Sequence, residues 1–128
     1  MKHKLSLSIF FLVFIFLKCS QPPIKIDVWY GQEQTFGKPG NAQRWINILG
    51  SVDTEYPLAY LGYSLNQSKY KKLSIGQDMR RLAREGDFNI DIHRSKLKQD
   101  ENIILIKAID SLQNEITKEV IINYYPGN

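Results

Sequence analysis

Apolar and polar residues alternate along most of this chain. Residues 24–30 (IKIDVWY) put Ile24, Ile26, Val28 and Tyr30 on one face and Lys25, Asp27 and Trp29 on the other. A period of two over that length predicts a half-buried strand, because successive side chains of an extended backbone point to opposite sides. Residues 31–43 (GQEQTFGKPGNAQ), rich in Gly, Gln and Asn, read as a loop. Residues 44–52 (RWINILGSV) read as a second strand with Ile46 and Ile48 inward, residues 53–57 as a turn, and residues 58–65 (LAYLGYSL) as a third strand. Asn66, Gln67 and Ser68 turn the chain back into a fourth strand at 70–75, which ends at Gly76. Residues 88–93 (FNIDIH) alternate cleanly, with Phe88, Ile90 and Ile92 on one side. Residues 102–110 (NIILIKAID) are apolar enough to predict a strand covered on both faces. After a turn, residues 116–125 (ITKEVIINYY) close the chain with Ile116, Val120, Ile122 and Tyr124 inward. Only residues 77–87 (QDMRRLAREGD) carry helical propensity, over a length that supports no more than a turn or two.

Seven such runs, separated by turn residues, predict an all-β fold: an immunoglobulin-like antiparallel β-sandwich of about seven strands over residues 24–125. A length of 128 residues leaves room for this one domain and excludes a two-domain enzyme, a large α/β barrel or a long repeat array.

The first residues follow a different pattern. Residues 1–4 are short and basic, and residues 5–17 (LSLSIFFLVFIFL) are apolar apart from two serines. A basic segment followed by an apolar segment of this length predicts an N-terminal signal helix for export, too short for a comfortable membrane span. The single cysteine, Cys19, stands where such a signal is cut. The arrangement resembles a bacterial lipoprotein signal over residues 1–18, and the resemblance implies that Cys19 is lipidated. Gln21, Pro22 and Pro23 then fit a short extended tether within residues 19–23. A lone cysteine has no intramolecular disulfide to form, which suits that use in an exported chain. The alternative is an uncleaved N-terminal anchor with Cys19 as a bystander. The implied location is the cell envelope, membrane-anchored, on the periplasmic or cell-surface side.

Residues 97–124 carry a further resemblance. Asn102, Ile104, Ile106, Ala108 and Asp110 follow an N-x-I-x-I-x-A-x-D pattern similar to the last two strands of bacterial immunoglobulin-like modules. Residues 28–52 (VWYGQEQTFGKPGNAQRWINILGSV), together with YSLN and LSIGQDMRRLAREGDFNIDI further on, resemble an N-terminal module of exported bacterial laminin-G or concanavalin-like proteins. The resemblance implies a non-enzymatic accessory module. It also leaves open that the chain is the N-terminal part of a larger secreted carbohydrate-active or jelly-roll protein. The final Tyr125-Pro126-Gly127-Asn128 reads like the start of a linker toward such a domain.

Charge narrows the partners. The chain holds 17 Lys and Arg against 13 Asp and Glu, a formal net charge of +4. Lys2, Lys4 and Lys18 account for three of those positive charges, so the remainder is nearly balanced at 14 against 13. Nucleic-acid binding needs a real cationic excess, and none is present. No Gly-rich phosphate loop occurs, which argues against nucleotides. Beyond residue 19 the only histidine is His93, on the polar face of its strand. Neither a nucleophile–base pair nor a zinc set is expected from one histidine and one committed cysteine. Asp53 with Glu55, Asp87 with Asp91, and Asp100 with Glu101 are the carboxylate pairs open to calcium, but they match no calcium-loop pattern and read as solvated turn residues. No catalytic residue, metal or cofactor is expected.

Aromatic residues offer the best binding chemistry. Trp29, Tyr30, Phe36 and Trp45 surround the first loop, and sugars stack their C–H faces on such rings. Gln32, Gln34, Asn41 and Gln43 are nearby partners for sugar hydroxyls. Against this, Trp45 occupies a position where a sandwich often buries a tryptophan, and Tyr30 falls on the apolar face of its strand. That leaves Trp29 and Phe36 as the expected exposed rings. Lys69, Lys71 and Lys72 with Arg80, Arg81 and Arg84 form a basic group that either faces an anionic partner or solvates an edge strand. The reading reached is a lipid-anchored envelope module that recognises a glycan or an envelope protein.

Overall fold

A computed structural model describes residues 22–37, 43–75 and 84–126. Among the described residues, eight strands form two facing sheets. The smaller sheet has the order β1 (Ile24–Val28), β3 (Trp45–Thr54), β6 (Asp87–His93), all antiparallel. The larger has the order β2 (Glu33–Phe36), β8 (Glu115–Tyr124), β7 (Asp100–Asp110), β4 (Leu58–Leu65), β5 (Lys71–Lys72). The fold is an immunoglobulin-like β-sandwich.

Alternation explains why these strands face each other. Ile24, Ile26 and Val28 of β1, Ile46, Ile48 and Val52 of β3, and Phe88, Ile90 and Ile92 of β6 are buried on the inner face of the smaller sheet. Leu61 of β4, Ile104, Ile106 and Ala108 of β7, and Val120 and Ile122 of β8 supply the opposing layer. Each such aliphatic side chain contributes about 1.5–3 kcal/mol on burial. The Asn102-to-Asp110 pattern has a structural meaning here. Its five residues all lie buried on the inner face of β7, apolar in the middle and polar at both ends.

Four details depart from the sequence reading. Residues 31–43 do not form one loop, because β2 lies within them and pairs in parallel with β8. Its burial is shallow and its composition polar, so period two is weak there. β7 is not covered on both faces: its inward residues are fully buried, while Ile103, Leu105, Lys107 and Ile109 are half-buried on the outer face. The flanking strands β4 and β8 shield those outer side chains laterally, and no further layer is needed. The fourth strand contracts to Lys71–Lys72, paired only with Gly62 and Tyr63. The first strand ends at Val28, because Tyr30 and Gly31 turn the chain toward the other sheet, with the Gly31 N–H donating to the Val28 carbonyl. Most of the segment with helical propensity, and the whole signal segment with Cys19, lie outside the described residues.

Candidate functional site

The two sheets leave an opening along one side, where the β6 edge of the smaller sheet adjoins β4 and β5 of the larger. A cleft of about 560 Å³ lies there. Trp45 begins β3 and stands opposite His93 of β6 in the antiparallel register. The two rings meet edge to face, with centroids 5.1 Å apart and planes at 82°. Edge-to-face packing of this kind fixes the ring orientation while leaving an indole face open. Trp45 is 54% exposed. Tyr63, on the inner face of β4 near the sheet edge, completes an aromatic wall, with Leu65 and Ile92 at its base.

The polar groups divide into those already committed and those open to a ligand. Asn66 is committed: its Oδ1 accepts from the Ile103 N–H at 2.9 Å and its Nδ2 donates to Asn102 Oδ1 at 2.9 Å. Asn66 thus fixes the rim in place. The Ser68 hydroxyl oxygen accepts from the Leu65 N–H at 3.1 Å and keeps its own proton for donation. His93 Nδ1 accepts from the Ser95 N–H at 3.2 Å and lies 2.8 Å from Ser95 Oγ. Those contacts cap the short 3-10 turn Arg94–Lys96, so the Ser–His contact is a local cap. With Nδ1 accepting, a neutral ring carries its proton on Nε2. Asp91 Oδ1 accepts from Asn89 Nδ2 at 2.9 Å.

Three lysines reach this cleft: Lys69 after the β4 turn, Lys71 on β5, and Lys96 on the turn after β6. The Lys96 side chain beside it, then the Lys96 charge and burial, hold the Lys71 ammonium below its ordinary pKa. Burial, and secondarily the charge of Asp91, push the Tyr63 phenol above its ordinary value.

The aromatic set expected around the first loop is therefore divided. Trp45 is not a core tryptophan; its odd position in β3 puts it on the side opposite Ile46 and Ile48. Tyr30 leaves the apolar face because the strand has ended, and it is 69% exposed in the turn. Phe36 is not exposed but packs against the core from β2. Trp29 is exposed as expected, at 40%, but lines a different hollow with Asp27, Ser51, Asp53, Arg84, Glu85 and Asp87. Of the basic group, Lys69 and Lys71 enter the cleft and Lys72 lines a separate concavity with Leu73. Arg84 sits beside Trp29, and Arg80 and Arg81 lie outside the described residues. Tyr63 and Lys96 belong to the cleft without having been singled out in sequence, and Asp91, expected there only as a turn carboxylate paired with Asp87, lines it as well. Alternation places Tyr63 inward, yet nothing local shows that its strand borders β6. Among the described residues no group of three or more His, Cys, Asp or Glu is placed to hold a metal ion. Among them, too, no helix is long and apolar enough to cross a membrane.

Among solved structures, the chain is similar to the fibronectin(III)-like modules of Clostridium thermocellum CbhA. The match has a TM-score of 0.50 and 12% sequence identity, and covers 82% of this chain and 99% of that one. The likeness is one of fold, an immunoglobulin-like β-sandwich. At this identity the likeness concerns architecture alone. The sequence matches no protein-family model and no curated protein.

Proposed function

We propose that this chain is a non-catalytic binding module of the cell envelope, held at a membrane by a lipid on Cys19, that docks a glycan in the cleft beside Trp45. The observation that carries the reading is the aromatic wall itself. A half-exposed indole, held edge-to-face by His93, stands with Tyr63 above a recess with hydrogen-bonding groups at its rim. Sugar rings need an apolar face to stack on and nearby polar groups to orient them, and this recess offers both. The Ser–His contact nearby is spent on capping a turn, which favours binding over hydrolysis.

The test is polysaccharide binding by the full chain and its variants, measured by affinity electrophoresis. Trp45→Ala is expected to weaken binding by about tenfold or more, the usual loss for an aromatic anchor, with the β-type circular dichroism unchanged. Trp29→Ala is expected to leave binding intact. The reverse result would move the site to the separate hollow that Trp29 lines with Asp27, Ser51 and Arg84.

A second reading is favoured by the structural neighbour, which is described as modules of CbhA. In that reading the chain is an accessory module of a larger secreted carbohydrate-active or jelly-roll protein, of the laminin-G or concanavalin-like kind. The intact mass of the native product from the membrane fraction separates the two. A mass equal to residues 19–128 plus acyl chains supports the lipid-anchored module, and a much larger mass supports the second reading.

A further inference from the structure

We propose that the Trp45 cleft selects sugars that carry negative charge. This inference rests on reading the cleft as a sugar site and goes one step further, to the charge of the ligand.

The observation is a convergence that the chain's composition does not demand. Beyond the first eighteen residues, cationic and acidic side chains are almost equal in number. Within the cleft, Lys69, Lys71 and Lys96 stand against one carboxylate, that of Asp91, which is engaged by Asn89. None of the three lysines forms an ion pair with a described carboxylate; Lys107, by contrast, pairs with Glu115 at 3.5 Å. The lysines come from three segments, the last of which belongs to the opposite sheet. An edge strand uses lysine to block pairing with another chain, which accounts for Lys71 and Lys72 facing solvent. It does not account for Lys96, on the turn that follows β6, lining the same cleft as Lys69 and Lys71. Ammonium groups that line one cleft repel, and an anion placed among them turns that repulsion into attraction.

The aromatic wall decides what kind of anion. Trp45 and Tyr63 line the same recess as the lysines, so a ring with an apolar face and an acidic substituent meets both features together. A flat lipid surface would meet the lysines without using a recessed wall. The shared chemistry is an anionic sugar, whether its charge comes from a carboxylate or a sulfate.

The experiment uses the full chain with four probes: polygalacturonate, its fully methyl-esterified form, dextran sulfate, and phosphatidylglycerol vesicles. Polygalacturonate or dextran sulfate is expected to bind at least about tenfold more tightly than the ester, as charge-assisted hydrogen bonds to two lysines imply. That preference is expected to shrink as salt is raised. Binding of polygalacturonate alone assigns the charge to a carboxylate, and binding of dextran sulfate alone assigns it to a sulfate. The double variant Lys71→Gln/Lys96→Gln is expected to lower binding of the acidic sugar to the level of the ester. Both side chains are exposed, so the fold should tolerate the change, and circular dichroism checks this. Equal binding of acid and ester overturns the charge selection while leaving the sugar site standing. No binding of any sugar overturns both. Lysine-dependent binding of the vesicles without sugar binding overturns the inference in favour of a lipid surface.

Discussion

Two buried polar side chains, Asn102 and Asp110, hold the ends of β7. Asn102 Oδ1 accepts from the Lys98 N–H at 3.0 Å and from Asn66 Nδ2 at 2.9 Å, while its Nδ2 donates to the Lys98 carbonyl at 2.9 Å. An apolar residue of similar size would leave those partners buried and unpaired. At the other end, Asp110 Oδ1 accepts from the Leu112 N–H at 3.0 Å and the Asn114 N–H at 2.9 Å, and Oδ2 accepts from Asn114 Nδ2 at 2.9 Å. Burial alone pushes this carboxyl up, but the hydrogen bonds from the Asn114 side chain and from the Asn114 and Leu112 backbone outweigh it. The group is held below its ordinary pKa of 3.8. A carboxyl lowered on folding stabilises the fold fully above its unfolded-state pKa, and that contribution disappears as pH falls through the folded-state value. The urea midpoint of the native chain is therefore expected to drop on acidification below the ordinary carboxyl range. Asp110→Asn is expected to shallow that drop; an identical acid slope in the variant would remove Asp110 from the account.

At the scale of the elements, the smaller sheet depends on one close approach. Gly50 of β3 lies between Val28 of β1 and Phe88 of β6 in register. A Cβ at Gly50 would run into the Asp27 carbonyl oxygen and the Phe88 ring, so the missing side chain is what lets the fully buried phenyl lie across β3. Gly50→Ala is expected to cost about 2 kcal/mol, as overpacking a filled core does, seen as a lower urea midpoint. An unchanged midpoint would mean that β1 and Phe88 can both shift aside. β1 and β2 act together in a different way: one short segment pairs first with β3 and then, past Gly31, in parallel with β8. The segment is thus stitched to both sheets, and it covers the β8 edge with the shallow strand that the sequence pattern hides.

For the whole molecule, net positive charge is concentrated at the start of the chain. Lys2, Lys4 and Lys18 flank the apolar run of residues 5–17, and the sequence that follows is nearly neutral overall. Under the proposed lipid anchor, attachment to a membrane would come from Cys19 rather than from a basic surface. Cys19→Ala is expected to move the protein from the membrane fraction to the soluble fraction, as read by fractionation and immunoblot. Retention at the membrane would reject the lipid anchor in favour of an uncleaved one.

Strand content and strand faces were legible because burial against a facing sheet enforces period two, and Ile24, Ile48, Ile90, Ile106 and Ile122 obey it. β4 matches its sequence segment end to end for the same reason. The expectation of export rests on local features, a basic start, an apolar run and a cysteine, and needs no fold. The binding cleft is not. Trp45 and Lys71 were visible as residue types, but Trp45 looked like core because sandwiches often bury a tryptophan, although alternation with Ile46 and Ile48 turns it outward. Tyr63 and Lys96 drew no notice, because they meet only when the β4 and β6 edges are brought side by side. Local alternation decides which side chains turn inward; the pairing of distant strands decides which ones meet at the edge.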